Sequence, residues 1–418
     1  MHSIIVFHPF LFDKVTGSAE KLLREFILVL ADSGHFLVHA VFGERNTVEV
    51  PEELIGHANV RLCRFAYDRI ENAPPWRFVG MTPNIVDMVA SIKARAFICL
   101  VSDEDQEPVR SLPLWLPVML IAPFGNFCSN GNVRKLYVSG VKNVARLKRR
   151  GVWAASVFYN PLVVPPVNVK KASNVPINRP ILIGRVGRSD SSIFDPISIL
   201  AFARLEAEYA AAVRYVYVNP PKEARALVSR LGLKQVEFRE WLSEKELAAF
   251  YDEIDVFAHA RKDGETLGVA IAEAMLRQNV IVTHVSRYFN EHLFLAREPF
   301  GRIAGIDDAD GYYAHLKYFV SHPELLPSLG RQAREFAATY FDGKAVGRRI
   351  VSDCIEACSF YGKPTPALIR LWYELLRGWF WVKLYSRKVA KYLLLRIDPA
   401  LDLAEARRFR WKRLGKVE

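Results

Sequence analysis

Cysteine is scarce. The 418 residues hold five, at positions 63, 99, 128, 354 and 358. An odd, scattered set excludes a disulfide framework. Cys354 and Cys358 are one helical turn apart, but no second Cys/His pair lies near enough in sequence to complete a zinc site. All five are expected to be reduced and mostly buried, which suits a cytosolic chain. Low-complexity blocks are missing too, and 51% of the residues are hydrophobic, so a disordered chain is excluded. Long unbroken apolar runs are also wanting. The stretch 111–133 carries no charge, but Pro113, Pro117 and Pro123 interrupt it. Its strongly apolar part is about half a membrane-spanning length, so a buried strand with its loop is expected. The opening "MHSIIVFHPF" has no basic segment and no long apolar core, and is read as a first strand rather than a signal peptide. Acid is in short supply: 45 Asp and Glu face 57 Lys and Arg, a net charge of +12. The excess is uneven. Residues 364–418 hold 13 Lys/Arg and 5 Asp/Glu, an excess of 8 in the last eighth of the chain.

What is present is an alternation. The length suits two or three domains. "SIIVF" (3–7) reads as a strand. "SAEKLLREFILVLADSGH" (18–35) reads as a helix with Leu22, Leu23, Phe26, Ile27 and Leu30 on one face and Gly34 as its stop. Strands follow at 36–42, 95–102 and 117–123. The Pro-, Asn- and Val-rich stretch 160–180 reads as an extended linker. The alternation then restarts with strands at 181–187, 213–219, 235–241, 255–260 and 280–285, separated by helices at 196–209, 221–232 and 243–254. The fold class is therefore α/β: two doubly wound domains of similar size facing a central cleft, where ligands bind at the carboxyl ends of the strands.

The segment "GETLGVAIAEAM" (264–275) places Glu265 and Glu273 eight residues apart. A helix is expected to start near Leu267–Gly268, and its first-turn N–H groups suit an anion such as a diphosphate. The two carboxylates then stand roughly 11 Å apart, about the distance between the sugar and ribose ends of a nucleotide diphosphate sugar. Gly268 would let a ligand approach the backbone. The same pattern also fits an amphipathic helix with Glu273 on its wet face. In "GRVGR" (184–188), Arg185 and Arg188 sit at a strand end where they can grip phosphate oxygens or lie on the surface. "TGSAEK" (16–21), with Gly17, opens the first helix as a phosphate-approach loop. In "REWLS" (239–243), Trp241 can flank a nucleobase or be a half-buried packing residue.

In this order the elements resemble a GT-B glycosyltransferase of the retaining type called family 4. The resemblance covers residues 1–350, more closely in the second domain. It rests on the loop opening the first helix, "GR" after the linker strand, the helix before "DVF", and "ETLGVAIAE" followed by "AM". It implies that residues 1–160 form the acceptor-side domain, 161–180 the linker, 181–350 the nucleotide-sugar domain and 351–418 a helical basic tail. It further implies that Glu265 contacts the donor sugar and that Glu273 holds the ribose. Arg185 would neutralise the diphosphate, helped by backbone amides like those of Leu267–Val269, Gly268 among them, with Thr266 also expected on the donor. No metal and no separate cofactor are expected. The sequence departs from the family pattern in four places: no Lys in "SDSSIFDP" after "GR", "GSAE" in the first loop, "RQNV" at 277–280, and no His between His57 and His259.

The tail segment 367–397 interleaves Trp372, Trp379, Phe380, Trp381 and Tyr385 with Arg370, Arg377, Lys383, Arg387, Lys388 and Lys391. Charges this frequent exclude a span, and the pattern suits a helix in the interface of an anionic membrane, or one packed on the first domain. No nucleic-acid motif accompanies the charge, so nucleic acid is not an expected partner. The expected activity is transfer of a sugar, with retention, from a nucleotide-diphosphate sugar to a hydroxyl of a glycan or lipid-linked acceptor. The expected place is the cytoplasm, with peripheral contact at the inner face of the membrane. The alternatives are another GT-B enzyme, such as a nucleotide-sugar epimerase, and a non-catalytic GT-B-like subunit or glycan-binding partner.

Overall fold

The strand segments 4–7, 97–100 and 118–122 are apolar on both faces, and a computed structural model shows why. The structure describes residues 1–12, 18–44, 49–69, 78–100, 108–123, 132–149, 151, 152, 154–157, 162, 164, 165, 179–363, 366–368, 371, 372 and 375. Eight strands form the first sheet: β1 (His2–Phe7), β2 (Phe36–Gly43), β3 (Val60–Arg69), β4 (Phe78–Thr82), β5 (Phe97–Leu100), β6 (Val118–Ala122), β7 (Val133–Val138) and β8 (Ala155–Val157). Their order is β4-β3-β2-β1-β5-β6-β7-β8, parallel except for the β3–β4 pair. Ile4 and Val6 of β1 point into one apolar layer, Ile5 and Phe7 into the other. Both layers are covered by helices at the centre of the sheet, so β1, β5 and β6 show no polar alternation there, whereas the outer β3 exposes Arg61 and Arg64. On one side lie α1 (Ser18–Asp32) and α2 (Glu52–Ile55); on the other, α3 (Ile85–Ile92) and α4 (Val141–Arg149). The five apolar residues expected on one face of α1 are all 0% exposed.

The second sheet contains β9 (Ile181–Val186), β10 (Val213–Val218), β11 (Val236–Arg239), β12 (Val256–Ala258), β14 (Val280–His284) and β16 (Gly301–Ala304). A separate short pair joins β13 (Gly264–Glu265) to β15 (Phe289–Asn290). The main sheet is wholly parallel, in the order β11-β10-β9-β12-β14-β16. The order reverses direction next to β9, the kind of position where ligands bind at strand ends. The covering helices are α5 (Ile197–Tyr209), α6 (Lys222–Leu231), α7 (Glu244–Glu253), α8 (Val269–Leu276), α9 (Ala309–Ser321) and α10 (Leu326–Phe341).

The last described long helix, α11 (Gly343–Ser359), starts at an Asp342 cap and crosses back. It delivers Ile350, Cys354, Ala357 and Cys358 into the core of the first domain beside Leu22 and Phe26. The expected boundary at 350/351 thus falls inside a helix shared with the first domain. Cys63, Cys99, Cys354 and Cys358 are free thiols; Cys128 lies outside the described residues. The charge-free stretch supplies β6, as expected, while 124–131 lie outside the described residues. No described helix is long and apolar enough to cross a membrane.

Candidate active site

The site is built on the carboxyl end of β12. After Ala258 the chain turns through His259–Asp263, forms the two residues of β13, and enters α8 at Gly268. Two glycines make this path possible. Gly264 has φ +73°, and a Cβ there would stand 1.8 Å from the carbonyl oxygen of Phe289. Gly268 has φ +66° and ends the loop in the left-handed region. A Cβ on Gly268 would meet His292 and Leu295 at 3.0 and 3.1 Å, so this glycine lets the 291–294 turn pack against the start of α8. The sequence reading gave Gly268 only a ligand-approach role. Leu267, half-buried, touches the apolar cores of both domains, so the segment lies at the seam between them.

Glu265 is the most strongly perturbed carboxylate of this segment. Its Oε1 accepts from Arg261 Nη1 at 3.1 Å and lies 3.8 Å from His259 Nε2. Burial by itself raises such a carboxyl, but His259 and the Arg261 guanidinium outweigh it and hold the group down at about 2. Arg261 is fixed in turn by a forked pair to Asp263. His259 is buried, with Nδ1 2.9 Å from Thr283 Oγ1. The His292 ring lies 4.9 Å from it at a tilt of 54°, and burial drives His292 down to about 3, so it is neutral. Nε2 of His259 and Nε2 of His292 are both buried without a hydrogen-bond partner among the described residues, His259 Nε2 having only the longer contact to Glu265. Among the described residues no group of three His, Cys, Asp or Glu stands as a metal cage.

The start of α8 carries no side-chain cap, whereas α3, α7, α9 and α11 are capped by Asn84, Ser243, Asp308 and Asp342. Its first-turn N–H groups, Val269 among them, thus keep their capacity for an anion. Arg185 does not fit its expected place on that anion. It is 3% exposed, and its terminal nitrogens donate to Asp195 O, Ser198 Oγ and Ala260 O at 2.8, 2.8 and 2.5 Å. Its guanidinium lies 4.6 Å from the Tyr217 ring centre and 5.4 Å from that of Phe194. The reason is local: β9 is buried on both faces, so a side chain at 185 folds inward and ties the start of α5 to the end of β12. Arg188, three residues on, is exposed. Its loop is pinned to the site by Lys262 N donating to Ile193 O at 3.0 Å and by the Phe194–Arg261 bridge.

Glu273, on the second turn of α8, faces the first domain. Its Oε1 is 2.5 Å from Lys21 Nζ on α1, and its Oε2 accepts from the Tyr251 hydroxyl at 3.3 Å. Burial depresses the Lys21 ammonium, but Glu273 more than restores it, and the net direction is up. Arg24, three residues further along α1, is ion-paired with Glu244 at the start of α7. A pocket of about 200 Å³ adjoins these pairs at the domain seam. Trp241 stands 59% exposed after β11, so its ring is open to a stacking partner. Thr266 is half-buried between the two acids. The structure thus gathers Glu265, Thr266, Leu267, Gly268, Val269 and Glu273 on one segment at the cleft, while Gly17 lies outside the described residues. Sequence reasoning missed His259, Arg261, His292 and Lys21. The signal for the first two was present: "HAR" directly follows the strand "VFA".

No family model matches the chain, and no curated protein matches it. Solved structures do. Sucrose-phosphate synthase from Thermosynechococcus elongatus superposes with a TM-score of 0.62 at 15% identity, covering 86% of this chain and 100% of that one. A glycosyltransferase from Rickettsia africae ESF-5 gives 0.64 at 12% identity, covering 85% and 98%. Anabaena Alr3699/HepE, solved in complex with UDP and glucose, gives 0.60 at 14% identity, covering 85% and 100%. The likeness is one of fold: the chain is built as two Rossmann-like domains in the GT-B arrangement of these glycosyltransferases.

Proposed function

We propose that this chain is a retaining, metal-independent glycosyltransferase that moves a sugar from a nucleotide-diphosphate donor to a hydroxyl acceptor. The observation that carries the reading is the placement of Glu265 and Glu273 on either side of the uncapped start of α8, at the domain cleft. Glu273 offers carboxylate oxygens to ribose hydroxyls. The diphosphate takes the free N–H groups at the start of α8, with Arg188 and Lys262 as exposed cations on the adjoining loops. Glu265, held ionised, accepts from donor sugar hydroxyls and stabilises positive charge growing at the anomeric carbon. A group that ionises near 2 donates no proton at neutral pH, so Glu265 is not the acid of this reaction. As the bond to the diphosphate breaks, the acceptor oxygen bonds on the same face, and its proton leaves with the nucleotide diphosphate. Trp241 lies open to stack on the base. The structurally similar Anabaena Alr3699/HepE is solved in complex with UDP and with UDP-glucose, which supports a nucleotide sugar here.

The acceptor we favour is a lipid-linked glycan at the inner membrane face. The charge and aromatics of 367–397 support it, as does the exposure of Leu368 and Leu371 at 81% and 57%, whereas the Trp372 indole lies against Gly151 of the first domain. The rest of that segment lies outside the described residues. Flotation with anionic liposomes tests it: the full chain should float and a truncation after Gly362 should not, and equal behaviour would remove the membrane contact. A second reading is favoured by one observation, the inward commitment of Arg185 on β9, followed by a loop that carries no Lys: a non-catalytic GT-B-like subunit. Nucleotide release from a panel of nucleotide sugars separates the two. The enzyme reading expects turnover that falls by about 10²–10³ in Glu265→Ala; the absence of binding and turnover with every donor would leave the subunit reading.

A further inference from the structure

The carboxylate assigned to ribose is already in use. Glu273 is 16% exposed, with Lys21 Nζ 2.5 Å from one oxygen and the Tyr251 hydroxyl 3.3 Å from the other. Lys21 belongs to the first domain and Tyr251 to α7 of the second, so the Lys21 pair crosses the cleft. A second pair from the same face of α1, Arg24 to Glu244, crosses it one turn further along. A ribose diol needs the oxygens that Lys21 and Tyr251 hold. Tyr251 can rotate its hydroxyl hydrogen away at little cost, but an ammonium 2.5 Å from Oε1 has to leave.

We propose that Lys21 is a clasp: it competes with the donor ribose for Glu273, so that donor binding and release of α1 from α8 are one event. The proposal rests on the reading of Glu273 as the ribose carboxylate. It makes donor affinity a property of both domains, because the first domain supplies the competitor. Arg24–Glu244 closes the same gap, but Glu244 is 61% exposed in its side chain, so that pair is the weaker of the two.

The test is calorimetric titration of the full chain with UDP, GDP and ADP. For the nucleotide that binds, Lys21→Met should bind roughly three- to tenfold tighter than the unsubstituted chain, the span set by a partly buried ion pair. Lys21→Arg should restore the weaker affinity, and the advantage of Lys21→Met should shrink as salt is raised. Glu273→Gln should weaken binding in either background. Unchanged or weaker binding by Lys21→Met, with Glu273→Gln still damaging, would overturn the clasp and leave the ribose assignment standing. Full binding by Glu273→Gln would overturn the ribose assignment itself.

Discussion

Gly264→Ala and Gly268→Ala ask whether the loop that presents Glu265 is held by backbone geometry. Both glycines have positive φ, +73° and +66°, so each alanine carries the left-handed penalty of about 1–2 kcal/mol. What differs is the neighbour. At Gly268 the new methyl meets side-chain atoms of His292 and Leu295 at 3.0 and 3.1 Å, which can give by a few tenths of an ångström. At Gly264 it would stand 1.8 Å from Phe289 O and 2.8 Å from Ser286 Cβ. A carbonyl oxygen in a paired strand cannot yield without breaking the β13–β15 pairing and the bond from Phe289 N to Asp263 O at 2.9 Å. Two lost backbone bonds add about 2 kcal/mol, so Gly264→Ala should cost about 3–4 kcal/mol in all and Gly268→Ala about 1–2. Thermal unfolding reads this as a drop of about 10 °C for the first and a few degrees for the second. Because Glu265 is the second residue of β13, Gly264→Ala should also lose sugar transfer, while Gly268→Ala keeps part of it. Equal stability losses for the two alanines would refute the reasoning.

Two further outcomes are expected. Trp241→Ala should weaken nucleotide binding roughly fivefold with little effect on stability, the worth of a stacking contact, as read by titration; an unchanged Kd would place the base elsewhere. His8, 5% exposed after β1, is pushed by burial down to about 4. Its folded pKa lies below the unfolded value of 6.5, so the folded chain keeps the ring neutral, stability is full above pH 6.5, and it is lost as pH falls toward 4. At pH 5 the loss is about 2 kcal/mol, and His8→Gln should remove that share of the pH 7-to-5 difference in urea unfolding. A His8→Gln chain with the same acid sensitivity would show that His8 is not the group responsible.

The parallel sheets were legible because strands covered on both faces are written as unbroken apolar runs, and the α1 stripe from Leu22 to Leu30 because a half-covered helix keeps its period. The strands β3, β4, β7, β8 and β16 were not foreseen, and the short pair β13–β15 escaped notice too. β13 and β15 are two residues each and owe their existence to the φ of Gly264, not to any run of β-formers. Arg185 shows a different limit. Its position at a strand end was readable, but whether a guanidinium turns out to the cleft or inward to Ser198 and Ala260 depends on groups 13 and 75 residues away. Lys21 meets Glu273 across 252 residues of chain, so only the packing of the two domains brings the pair together. The acid-to-acid spacing in "ETLGVAIAE" needed no such help, since one helix start fixes both ends.

The most direct test of the account is a crystal structure of the chain with the nucleotide diphosphate that binds best. The account expects the diphosphate within hydrogen-bonding distance of the backbone N–H groups at the start of α8 and the ribose hydroxyls on Glu273, with Lys21 displaced. A nucleotide seated on the first domain, or a diphosphate away from Gly268 and Val269, would contradict it.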